Sequence, residues 1–184
     1  MEKIIGAHNV LTGGVASNLF TKIFGIFGKC QNKSIDKLIE KGIQCFDIRV
    51  YWKNNKWHTG HGLLEYDFQY NTPECLIAHI INNVDNPYVR LILEKDGNAA
   101  RFIDLCKFVE ATFTNCTFLG GRRKSDWELL YDFKTDDIPM IQWVSSMAGD
   151  AWHIERFIPW LYSWRRNSEN IQQAQYGINL YDFL

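Results

Sequence analysis

Several features are missing from this chain, and each absence narrows what it can be. Its five cysteines (Cys30, Cys45, Cys75, Cys106 and Cys116) contain no CxxC pair and are odd in number. They read as reduced, mostly buried thiols, which suits an intracellular setting. Neither charge dominates: Lys+Arg is 20 against Asp+Glu 21, a net charge of −1. That balance speaks against bulk nucleic-acid binding and against an acidic tail. No apolar run approaches the ~20 residues of a membrane span. The start of the chain carries only Lys3, with Glu2 beside it, so no secretory signal is evident. A cytoplasmic or peripheral-membrane location is therefore expected. Internal repeats, linkers and low-complexity segments are absent too.

What is present suits one domain over residues 1–184, with 46% hydrophobic residues to build its core. Aromatics make up 15%, including seven Trp, which serve either core packing or a wet or lipid-facing rim. Residues 3–9 (KIIGAHN) form a short strand ending in His8-Asn9. Residues 10–33 are loop-like, yet Leu19, Phe20, Ile23, Phe24, Ile26 and Phe27 fit one or two amphipathic turns. These either cover the core or form an apolar flap beside a site. Ser34 caps a short helix closed by Gly42, and Thr72-Pro73 opens a longer one. Residues 88–93 (YVRLIL) are a strand leading into Glu94-Lys95-Asp96-Gly97, and Asn98 caps the helix after it. Strands are also expected near 117–120 and 138–145, with 127–133 ambiguous between strand and helix. A helix over 151–166, kinked or split at Pro159, precedes a closing strand over 177–184. Strands alternating with helices at these spacings predict right-handed β-α-β units and a parallel sheet. An eight-fold barrel typically takes ~250 residues, so the fold class expected is α/β, a compact, reduced (β/α)8 TIM barrel with missing or vestigial helices.

The stretch 43–63 (IQCFDIRVYWKNNKWHTGHGL) stands apart. Alternation along its strand puts Asp47 and Arg49 on one face and Phe46, Ile48 and Val50 on the other. A turn at Asn54-Asn55 then leads to a second short strand ending in His61-Gly62. Polar residues close other strands as well: His8-Asn9, Glu94-Lys95 and Asp182. In a parallel barrel such ends converge on one face. Two histidines, a fixed cation and orienting carboxylates suit phosphodiester cleavage, where one imidazole accepts a proton, the other donates one, and a guanidinium or metal ion holds the phosphate charge. Singly, each residue also has a structural reading: His8 as a satisfied histidine, Asp47 with Arg49 as an internal ion pair, Glu94-Lys95-Asp96 as a solvated loop. Their shared position at strand ends favours the chemical one.

In order along the chain, GAHN (6–9), SIDKLIEKGIQCFDIRV (34–50), HTGHGL (58–63), YVRLILEKD (88–96), WVSSMAGDAW (143–152) and GINLYDFL (177–184) resemble the catalytic domain of phosphatidylinositol-specific phospholipases C, within the phospholipase C-like phosphodiesterases. The resemblance spans nearly the whole chain and is best before Asp96. It implies His8 as general base, His61 as general acid, Asp182 as the residue orienting His8, Asp47 as holder of the polar network and Arg49 as phosphate clamp. Asn9, Glu94, Lys95, Arg122 and Arg123 would contact substrate. No cofactor is favoured, because Arg49 stands where calcium-binding members carry a second carboxylate; a Ca²⁺ site, if present, would draw on Asn9, Asp47 and Glu94. The implied substrate is a phospholipid or related diester cleaved through a cyclic phosphate, with transient membrane-surface contact and no nucleic acid. The middle departs from the family: 117–139 is compressed, Asp132 stands where an arginine is expected, and Arg122-Arg123-Lys124 are candidate substitutes. The alternatives are a metal-dependent enzyme of the glycerophosphodiesterase or sphingomyelinase-D type, and a catalytically silent lipid-headgroup-binding module.

Overall fold

Alternation of side chains along strands sets the architecture. The computed structural model describes residues 2–95, 98–133 and 138–184. Strands β1 (Lys3–Ala7), β2 (Cys45–Lys53), β5 (Tyr88–Leu93), β6 (Thr117–Arg123), β8 (Met140–Trp143) and β9 (Gly177–Tyr181) run parallel in the order β6-β5-β2-β1-β9-β8. Short β7 (Leu129–Tyr131) lies antiparallel on β6 at one edge. β3 (Lys56–His61) and β4 (Leu64–Tyr66) form a side ribbon on β2. The turn into β3 places Asn54 and Asn55 at φ 51° and 58°, a left-handed pair that asparagine tolerates and that matches hairpin twist.

The sheet curls into a seven-strand half-barrel. Among the described residues β7 and β8 do not pair, so the closed ring expected from the sequence is not what these residues show. At one edge β7 turns back antiparallel on β6 rather than extending the parallel run. Asp96 and Gly97, expected in the loop after β5, lie outside the described residues.

Helices α2 (Ile35–Glu40), α3 (Pro73–Asn83) and α4 (Ala99–Thr112) start at Ser34, Thr72 and Asn98, whose side chains accept from the backbone N–H three residues on. Each such cap is worth about 1 kcal/mol. Their apolar stripes (Leu38; Leu76, Ile77, Ile80; Phe102, Leu105, Val109) join Phe46, Ile48 and Val50 of β2 in the main core. The opposite face of the sheet is narrow. A Cβ at Gly6 would lie 2.6 Å from Leu180 and 2.8 Å from the Cβ of Cys45, so only glycine fits there. Ile4, Cys45, Ile178 and Leu180 fill that floor, and the polar residues stand above it. The helix expected over 151–166 begins instead at Pro159, as α5 (Pro159–Gln172). Proline has no N–H to give and disfavours helical backbone just before it, so it sits in the first turn.

Candidate active site

The ladder between β1 and β9 continues one residue past both strands, with His8 N–H donating to the Tyr181 carbonyl at 2.9 Å. This sets His8 beside Asp182, with Nδ1 2.8 Å from the carboxylate and both residues buried. Gln31 Nε2 donates to the carbonyls of His8 (3.1 Å) and Tyr181 (2.9 Å), and Asn167 Nδ2 to that of Asp182 (2.7 Å). On the other side of the ring, Arg49 Nη2 lies 2.6 Å from Nε2. A guanidinium only donates. Nε2 therefore accepts, and the ring proton sits on Nδ1, shared with Asp182. In that tautomer the one ring lone pair, on Nε2, is held by Arg49.

Arg49 is the hub. Nε donates to Asp47 at 2.9 Å and Nη1 to Glu94 at 3.3 Å, while the residue is 1% exposed. Asp47 also accepts from the Asn9 N–H at 3.0 Å, and Glu94 from the Gly62 N–H at 2.8 Å. Asn9 meets this geometry at φ 42°, and its side chain donates to the Gly60 carbonyl at 3.1 Å. Burial by itself would raise the Asp47 carboxyl, but Arg49, Arg90 and His8 outweigh it and hold Asp47 well below the carboxylate range. Burial likewise works against the Arg49 charge, and Asp47 and Glu94 overcome it. The Ca²⁺ set of Asn9, Asp47 and Glu94 does not fit a metal here. The guanidinium already bridges the two carboxylates, both Glu94 oxygens are engaged, and calcium prefers six to eight oxygens.

His61 closes the cleft from the end of β3. Its ring stands 6.1 Å from that of His8, at 88° to it. Nδ1 lies 2.8 Å from the Gly28 carbonyl; a carbonyl only accepts, so Nδ1 carries a proton and Nε2 faces the cavity. Burial, then the Arg49 and His8 charges, push the His61 pKa below its ordinary 6.5. Being depressed, it makes the folded state bind fewer protons than the unfolded chain, so charging His61 costs stability as the pH falls through 6.5 and below. The His61 imidazole is expected to titrate below 6.5 by NMR. Its midpoint should move up in Arg49→Gln, and a midpoint at or above 6.5 in the parent protein would contradict this geometry.

His8, Arg49, His61 and Asp182 line a cavity of about 120 Å³. Phe27, His61 and Lys124 form a wall common to this cavity and to an open trough of about 700 Å³, which Phe20, Phe24 and Leu63 make apolar. The structure thus brings His8, Asn9, Asp47, Arg49, His61, Glu94 and Asp182 together. It does not bring Lys95, Arg122 or Arg123 to the histidines. Lys95 pairs with Glu65 at 2.9 Å and lies over the Tyr51 ring. Arg122 donates to the Trp127 carbonyl at 3.0 Å, and Arg123 pairs with Asp126 and Glu128. The third member of that basic run, Lys124, is the one that faces the cleft.

Three residues escaped the sequence reading. Arg90, buried on β5, pairs in register with Asp47 and places Nη1 3.8 Å from it. A lone charge inside YVRLIL was the available signal. Cys30 and Arg156 also line the cavity, and nothing in the sequence marked either one.

The fold and cleft define a class, that of α/β proteins whose curled parallel sheet carries a buried polar cluster at its strand ends. Within that class the chain is similar to the solved structure of phosphatidylinositol-specific phospholipase C from Listeria monocytogenes. The TM-score is 0.64 at 15% sequence identity, covering 98% of this chain and 88% of that one. At such identity the likeness shows a shared fold. No protein-family model and no curated protein sequence matches the chain. No helix among the described residues is long and apolar enough to cross a membrane.

Proposed function

We propose that this protein is a metal-independent phosphodiesterase that cleaves a phospholipid-type diester carrying a hydroxyl next to the phosphorus. The observation that carries the reading is the chain Asp182–His8–Arg49, with His61 facing it across the cavity. As Arg49 Nη2 turns from Nε2 to the phosphoryl oxygens, His8 Nε2 takes the proton of the neighbouring hydroxyl, whose oxygen attacks phosphorus to form a cyclic phosphate. Asp182 holds Nδ1–H and stabilises the imidazolium. His61, protonated, gives its Nε2 proton to the departing alkoxide, and Arg49 balances the charge building on the phosphoryl oxygens. The histidines then exchange roles as water opens the ring. Each proton transfer is worth about 10²–10⁴ in rate, and the guanidinium about 10²–10³. A metal-dependent mechanism would put its cation between Asp47 and Glu94, where Arg49 stands. In fold terms we read the half-barrel as a reduced relative of the phospholipase C-like barrel. The test is product analysis on inositol, choline and glycerol phosphodiesters, with and without chelator.

The same reading assigns a lipid surface as partner. Leu19 is 71% exposed and Phe27 54%, and Phe20 and Phe24 of α1 (Leu19–Phe24) line the trough leading to His61. Trp160 and Trp164 on α5 are exposed as well. An aromatic side chain leaving water contributes about 1.5–3 kcal/mol, so Phe20→Ser with Phe24→Ser should weaken vesicle binding by about tenfold or more. Sedimentation with phospholipid vesicles measures this. Undiminished binding by the double variant would remove the assignment.

A further inference from the structure

One buried group in the cleft has no part in the mechanism above. The Cys30 sulfur, a ring nitrogen of His8 and a carboxylate oxygen of Asp182 all lie within 4.8 Å of one another, and all three residues are buried. The thiol is fixed from both sides. Cys30 N–H donates to Thr12 Oγ1 at 3.0 Å, its carbonyl accepts from Phe183 at 2.7 Å, and its sulfur lies 3.6 Å from the Gly28 carbonyl and 3.8 Å from His61 Nδ1. Cys30, His8, His61 and Asp182 share the wall of the 120 Å³ cavity, which gives a small ion a route in.

Sulfur, imidazole nitrogen and one carboxylate oxygen form a donor set for a thiophilic divalent ion and a poor one for Ca²⁺ or Mg²⁺. Zinc bonds of about 2.0–2.3 Å bring adjacent donors to roughly 3.3–3.8 Å, so the three need close by only about an ångström. The charged groups around it are the carboxylates of Asp47, Glu94 and Asp182, the guanidiniums of Arg49, Arg90 and Arg156 and the rim ammonium of Lys124. Burial and Asp182 push the Cys30 thiol well up, so the ion itself has to displace its proton.

We propose that Cys30, His8 and Asp182 form an inhibitory site for Zn²⁺ or a similarly thiophilic divalent cation, with cavity water as the fourth ligand. Binding displaces the thiol proton of Cys30 and shifts the His8 ring proton from Nδ1 to Nε2, where Arg49 must give way, so one proton leaves for each ion bound. The ion removes the general base from use, and raising the pH tightens binding. The inhibition rests on the phosphodiesterase reading; the metal site itself does not.

Co²⁺ is the probe, since a Co²⁺–thiolate bond gives a near-ultraviolet charge-transfer band. The full chain, with exposed Cys75 and half-exposed Cys116 replaced by serine, should develop this band at one equivalent of Co²⁺ and lose it on adding Zn²⁺. Cys30→Ser should abolish the band. Asp182→Asn should retain it with affinity lowered about tenfold or more. Zn²⁺ should inhibit turnover of the parent protein, and inhibit Cys30→Ser, relative to that variant's own metal-free rate, at least about tenfold less well. A folded parent protein with no band, or a band that survives Cys30→Ser, overturns the site. A band in a protein that turns over no diester supports the metal site and overturns the phosphodiesterase reading alone.

Discussion

Alanine at His8 is expected to lower diester turnover by about 10²–10⁴, and alanine at His61 by a similar factor. The two losses should differ in kind. His61 serves the leaving group, so a diester with an acidic leaving group such as nitrophenol should recover most of the His61→Ala loss, because a stable phenolate needs no proton. His8 serves the nucleophile, so His8→Ala should stay slow on both substrates. The double variant should fall short of the product of the single losses, as residues acting in one step do. His8→Ala also leaves the Asp182 carboxylate, 1% exposed, without its 2.8 Å partner, at a cost of about 1–3 kcal/mol. His61→Ala leaves no comparable charge exposed to the core. Equal recovery of both variants on the nitrophenyl diester would contradict the division of roles.

Arg49→Ala carries the second large effect, and it falls on both stability and rate. Asp47 and Glu94 would remain buried with their main counter-charge gone. Removing one partner of a buried ion pair costs about 3–5 kcal/mol, readable as a lowered midpoint of urea unfolding. Turnover should drop by about 10²–10³ from the lost charge opposite the phosphate. Arg49→Lys should recover only part of either, since an ammonium cannot span Asp47, Glu94 and His8 as the planar fork does. The pH dependence follows with its sign. Asp47 is depressed below its ordinary 3.8, so its contribution is present above that pH and lost as the pH falls through the folded value. Arg49→Ala should flatten that acid-side loss. A variant as stable and as active as the parent protein would show that the guanidinium bridge carries neither function.

Much of this site could be read from the chain because strand alternation has a period of two. Asp47 and Arg49 had to share a face, and His8, Arg49, Glu94 and Asp182 had to converge once their strands ran parallel. The exposed aromatic flap was open to two readings, since amphipathic spacing alone does not say whether a face meets core or solvent. Other features depended on geometry that spacing does not carry. The Gly120 turn at φ 56° and the register shift between β5 and β6 break the alternation of β6, so which of Arg122, Arg123 and Lys124 faces the cleft could not be counted from Thr117. Lys95 follows the end of β5, where no pleat directs it, and turns to Glu65. Glu94 was compatible with a solvated loop, a substrate contact or a Ca²⁺ ligand, and its 3.3 Å approach to Arg49 was not legible from spacing. Closure of the sheet depends on whether the edge strands meet, which no local pattern encodes.

The measurement that bears most directly on the central claim is ³¹P NMR of an inositol phosphodiester incubated with the protein in excess chelator. The account predicts a transient cyclic phosphate followed by the monoester, with neither formed by His8→Ala on the same timescale. Turnover that requires added metal, or a monoester that forms with no cyclic intermediate, would contradict it.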